Sequence, residues 1–224
     1  MTKTFDSKWE EVHKAREWGK YPSEDLIRFM GRKYKNTDRN KVSVLDLGCG
    51  TGAATWFLCR EGFKVYAVDG SKTAVEKVQK LLGNIPNKPY LCVADAAKLP
   101  FEDNTFDCIA DIGCITSNTS KGINEILTEI FRVLKPSGSF FSSYLFSSKT
   151  SGSDLGKELE PNTRRNIPEG PLADIGTIHF FTRTEIKKFW KNNGLTVTEI
   201  NTLRRTDCNG LYTIDYYIVS AVKI

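Results

Sequence analysis

Apolar positions follow two rhythms along this chain. Short apolar or alternating runs, bounded by Gly, Pro and polar residues, predict strands at 42–47, 64–68, 89–93, 106–112 and 139–146. Between them the spacing turns helical, over 53–60, from Ser71 to about Leu82, and over 123–134, where Pro136 and Gly138 stop the helix. Two helices come first, at 6–18 and 23–34. The second opens on Pro22 and Ser23 with acids Glu24 and Asp25 in its first turn. A helix at 182–193, ended by Gly194, and two strands at 195–203 and 211–222 close the chain. Strands alternating with helices predict an α/β fold with a parallel sheet.

One stretch breaks the rhythm. Residues 147–178 hold several Gly and Pro and little periodicity. A connection this long predicts a lid or a disordered segment. The expected organisation is one domain, with a helical cap at 1–40, a core at 41–146, the lid-like loop at 147–178 and closing elements at 179–224. A length of 224 residues suits one embellished domain.

The most informative segment runs Val44-Leu45-Asp46-Leu47-Gly48-Cys49-Gly50-Thr51-Gly52. A strand feeds a Gly turn that opens a helix, so backbone can approach a ligand closely beside free N–H groups. The spacing is G-x-G-x-G, not the G-x-G-x-x-G of dinucleotide binders, which argues against a nicotinamide-dependent oxidoreductase. Asp46 inside the motif would repel a pyrophosphate and attract an ammonium or sulfonium. Asp69, 21 residues after Gly48, ends the second strand, where an acid can accept from a ribose diol. S-adenosylmethionine has the ribose, the positive end and no phosphate.

This segment resembles motif I of the class I S-adenosylmethionine-dependent methyltransferases. Ala94-Asp95-Ala96 followed by Leu99-Pro100-Phe101, then Phe106-Asp107-Cys108-Ile109, and Glu129 through Gly138 resemble later segments of that family. The resemblance covers about 42–146. It implies a Rossmann-like, doubly wound, mainly parallel seven-stranded sheet with an antiparallel C-terminal strand. It also implies that Asp46, Gly48 and Gly50 face the methionine and ribose, with Cys49 on the same cofactor-binding turn. Asp69 would take the ribose hydroxyls, with Gly70 and Ser71 beside the adenine. Asp95 and the Ala96 backbone would bond the adenine ring, and Asp111 and Ile112 would lie next to the methyl group.

Candidate acceptor residues are fewer. His179, at the end of the long loop, is the preferred general base, because imidazole titrates near neutrality. Asp111 is the second candidate. His13, on a charged helix, is expected to be exposed. Tyr21 is a candidate contact, and Arg164 and Arg165 could clamp an acidic acceptor. Trp9 and Trp18 belong to an N-terminal segment similar to those that cover the cofactor in small-molecule methyltransferases. The expected reaction is methyl transfer to a small polar metabolite, such as a sugar or nucleotide-linked intermediate. A protein or RNA methyltransferase and a non-catalytic binding module stand as alternatives.

Composition narrows the partners. A net charge of +5 is spread without a basic run, unlike the concentrated footprint of a nucleic-acid binder, and no DNA partner is expected. No C-x-x-C occurs among six Cys, so no metal is expected and the thiols are read as reduced. No run approaches 18 apolar residues, and the N-terminus is charged where a signal peptide is apolar. A cytoplasmic protein away from membranes, monomeric or homodimeric, is the expectation.

Overall fold

The computed structural model describes residues 3–224. Its main sheet contains β1 (Ser43–Leu47), β2 (Lys64–Asp69), β3 (Tyr90–Val93), β4 (Phe106–Ile112), β5 (Leu134–Phe146), β9 (Leu195–Asp207) and β10 (Tyr212–Lys223). The spatial order is β3-β2-β1-β4-β5-β10-β9. β10 runs antiparallel to β5 and to β9, and the remaining pairs are parallel.

Alternation along the strands builds two cores. Leu45, Ile109 and Phe140 face one side, where α5 (Ser120–Val133) and α6 (Arg183–Asn192) bury Ile126, Ile130, Ile186 and Trp190. Val44, Cys108 and Phe141 face the other, against Leu26 and Met30 of α2 (Glu24–Lys33) and Leu58 of α3 (Ala53–Arg60). α4 (Lys72–Leu82) packs Val78 and Leu82 beside Ala67 on a smaller cluster. The chain order reverses between β1 and β4, so a crevice opens at their carboxyl ends, where open α/β sheets bind ligands.

The predicted elements fall close to the observed ones, with several differences. β5 starts five residues earlier, at Leu134, with Pro136 and Gly138 inside it, and β9 runs on to Asp207. α1 is shorter than expected, Lys8–Ala15, because Arg16 turns extended. α5 starts earlier, capped by the Thr119 side chain accepting from the Gly122 N–H. The segment 147–178 is not an irregular lid. With His179 it folds β6 (Lys157–Glu160), β7 (Thr163–Arg165) and β8 (Thr177–His179) into a small antiparallel sheet. Ile167, Leu172, Ile175 and Ile178 of this segment bury against Phe146, Ile214 and Tyr216 of the main sheet. Strands of three or four residues, rich in charge, carry too little alternation to be read from sequence. Among the described residues no helix is long and apolar enough to cross a membrane.

Candidate functional site

The turn after β1 is built by glycines in the left-handed region. Gly48 (φ +67°) lies so close to Cys114 that an added Cβ would fall 2.4 Å from the Cys114 Cβ. Gly50 (φ +50°) differs: the nearest atom to an added Cβ would be His13 Cε1 at 3.7 Å. Gly48 therefore serves packing, whereas Gly50 leaves backbone bare beside a cavity of about 350 Å³.

Carboxylates gather around that turn. Asp46, in mid-sheet, is 1% exposed and accepts from the Thr55 hydroxyl. Burial pushes its carboxyl up to about 7. Asp69 accepts from the Gly50 N–H at 2.9 Å and the Ser71 N–H at 2.8 Å, and burial raises it too. Among the described residues no Lys or Arg forms an ion pair with either acid. A cationic ligand would relieve this uncompensated charge.

The cavity is lined by several residues named from sequence: Asp46, Gly48, Cys49 and Gly50 on the β1 side, Asp69 and Gly70 after β2, and Ala96, Ile112 and Tyr21 around them. Burial raises the thiols of Cys49 and Cys114 well above the ordinary value, so neither is a ready nucleophile.

Other expected site residues stand elsewhere. Ser71 caps α4 by accepting from the Ala74 N–H, and its hydroxyl donates to Glu10. Asp95 is held by the N-terminal segment, accepting from the backbone N–H groups of Thr4 and Phe5 and from the Thr4 hydroxyl. Burial alone would raise the Asp95 carboxyl, but these bonds and one from the Ala97 N–H outweigh it and hold it low. Asp111 lies fully buried behind the cavity wall. It accepts from the N–H groups of Cys114 and Ile115 and from the Ser142 hydroxyl, which fixes the turn after β4, and burial raises it to about 6.

His179 is not at the cavity. Its ring is sealed under the small sheet, with Nδ1 2.8 Å from the Thr163 hydroxyl and Nε2 3.4 Å from Glu185. β8 carries it inward because positions 177–179 are all buried. Arg164 pairs with Glu158 across the β6–β7 pair, and Arg165 with Asp6, so both guanidiniums are engaged within the fold and neither lines the cavity.

Sequence reading missed His13, which is 5% exposed and lines the cavity. Trp9, Val12 and His13 fall at helical spacing on one face, a signal overlooked because His was counted as polar. Tyr144 was also missed. β5 carries one extra residue against β10 there, and Tyr144 takes φ +58° and lines the cavity. Nothing in its local sequence marks that bulge. Among the described residues no His, Cys, Asp and Glu cluster could hold a metal.

Comparison with known proteins places the core. Residues 44–138 match the family model of the methyltransferase domain. The demethylmenaquinone methyltransferase of Symbiobacterium thermophilum is 37% identical over 103 residues, which cover 43% of this chain and 40% of that protein. The chain spans about two fifths of the length of the curated relatives it matches. A solved structure from Pyrococcus horikoshii superposes with a TM-score of 0.69 at 25% identity, covering 90% of this chain and 89% of that one. The Burkholderia thailandensis 1,6-didemethyltoxoflavin-N1-methyltransferase, solved with its 1,6-didemethyltoxoflavin and S-adenosylhomocysteine, shares the fold at a TM-score of 0.66 and 19% identity, over 89% of this chain and 77% of that one. Residues 44–138, which carry the Gly48–Gly50 turn and strands β1 to β4 of the sheet, are thus similar to a methyltransferase domain.

Proposed function

We propose that this chain transfers a methyl group from S-adenosylmethionine to a small polar metabolite. The observation that carries this reading is that the chain's own first helix lines the cavity. Trp9 and His13 of α1, with Trp18 beyond it, line the same cavity as Asp46, Gly50 and Asp69. A cavity of about 350 Å³ lies near the small end of ligand sites, and suits a donor with a small acceptor better than a macromolecular segment.

The residues fit the donor. Bare backbone at Gly50 permits close approach, and the unpaired acids Asp46 and Asp69 suit a molecule bearing an ammonium and a sulfonium. When bound, S-adenosylmethionine supplies a methyl group already activated by the positive sulfur. The protein's task is then chiefly to hold the acceptor in line and keep water out, where orientation supplies roughly 7–11 kcal/mol. Cys114 and Ser117, beyond the end of β4, and Tyr144 of β5 line the acceptor side. No Lys or Arg lines the cavity among the described residues, which favours a sugar-like acceptor over a nucleotide-linked one.

The test uses methyl-labelled S-adenosylmethionine, the purified chain and a cell extract split into metabolite, protein and nucleic-acid fractions. Label is expected in the metabolite fraction and lost with Asp69→Ala. Label confined to protein or nucleic acid would overturn the small-molecule reading. Donor binding without any label would leave a binding module.

A further inference from the structure

In its ionised form Asp69 accepts hydrogen bonds and cannot donate one. Its Oδ1 is fixed by the Ser71 N–H and its Oδ2 by the Gly50 N–H, so the carboxylate is oriented before any ligand arrives. A ribose diol facing it donates two hydrogens but leaves its own oxygen lone pairs without a donor. Close by stands a ring with the opposite need. The His13 imidazole lines the same cavity and is 5% exposed, and a Cβ added at Gly50 would lie 3.7 Å from its Cε1. Its Nδ1 is sealed without a hydrogen bond, and among the described residues Nε2 has no hydrogen-bond partner either. A proton is better placed on Nε2 than on the sealed Nδ1, where an unmet N–H would carry the full desolvation penalty.

The ring is held in place from two directions. Trp9 and Trp18 lie 5.6 and 6.5 Å from its centroid. Glu10, one turn earlier on the same face of α1, accepts from the hydroxyls of Ser71 and Thr73 and from the Thr73 N–H. Ser71 thus ties α1 and Asp69 into one frame. Burial lowers the His13 pKa, and Lys77 of α4 opposes protonation as well, while Asp69 and Glu10 favour it. A neutral ring offers one donor and one bare nitrogen.

We infer that His13 is the donor half of a diol-binding pair with Asp69: its Nε2–H bonds a ribose hydroxyl oxygen of the bound methyl donor while Asp69 accepts the hydroxyl hydrogens. This rests on the donor reading above and adds to it a residue from outside the matched core. His13 is therefore a binding residue for the donor and not a base for the acceptor.

The experiment is calorimetric titration of the whole chain with S-adenosylhomocysteine and with its 2′,3′-dideoxy analogue. His13→Ala is expected to weaken S-adenosylhomocysteine about tenfold and to leave the dideoxy analogue unchanged. His13→Gln, which keeps an N–H near the Nε2 position, should recover most of the loss. Should the alanine variant melt early, His13→Phe keeps a ring between the two tryptophans and removes the donor. An equal loss for both ligands would mean packing alone and overturn the inference, as would no loss for either. A wild-type chain that binds neither compound would instead sink the donor reading on which the inference stands.

Discussion

Asp46 and Asp111 sit in low dielectric around the cavity, raised to about 7 and about 6 by burial. Between the ordinary carboxylate range and about 7 the folded chain keeps a proton on Asp46 that the unfolded chain has lost. Its contribution to stability is therefore full at the acid end and lost as pH rises through about 7. A cationic ligand reverses the balance, because it favours the ionised acid. Affinity for S-adenosylmethionine should climb as pH rises from about 5.5 towards 8, and Asp46→Asn should flatten that climb. Calorimetry of both proteins across this range checks it, and an unchanged slope in the variant would remove Asp46 from the linkage. Asp46, Gly50 and Asp69 were legible as site residues because motif spacing fixes them on one turn. His13 was legible only as part of the face it shares with Trp9 and Val12; that this face docks on α4 beside the cavity is set by distant chain.

At the level of elements, the two glycines of the first turn separate stability from binding. Gly48→Ala combines a left-handed residue with a Cβ driven into Cys114, and should destabilise the fold by roughly 2 kcal/mol or more. Gly50→Ala meets only the edge of His13, so its melting temperature should fall less while its affinity for S-adenosylhomocysteine falls more. Thermal melts paired with titrations decide this, and parallel losses in both variants would defeat the distinction. The clasp of α1 gives another test. Hydrogen bonds from the Ser71 and Thr73 hydroxyls lower the Glu10 carboxyl to about 2. The stabilisation is present above the ordinary carboxylate range and lost as pH falls towards 2. Glu10→Ala should accelerate amide exchange in α1 selectively, with the amides of β1 and β4 still protected. Helices were readable because each repeats a period over two turns or more, and the parallel strands because they are apolar runs bounded by Gly, Pro or polar residues. The small sheet and the Tyr144 bulge were not, since both depend on pairing with distant chain.

Across the whole molecule the small sheet is part of one body. Ile167, Leu172 and Ile178 are each at most 4% exposed and share a cluster with Phe146, Phe180, Ile214 and Tyr216. Replacing residues 153–176 by a flexible linker would strip that cluster and expose its main-sheet half, so the shortened chain is expected to unfold at lower denaturant concentration. An unchanged midpoint would show the segment to be dispensable. From sequence alone this segment reads as a lid because Gly and Pro dominate its local signal, whereas its order comes from apolar residues spaced too irregularly to show a period.

The arrangement of indoles has a use in the laboratory. Trp9 and Trp18 flank His13 beside the cavity, whereas Trp190 is fully buried against Phe140 at 5.8 Å. With the fourth indole, Trp56, replaced by Phe, the chain would carry its own optical gauge: two fluorophores whose emission answers to whatever fills the cavity, and a third, far inside, whose emission holds steady as the reference.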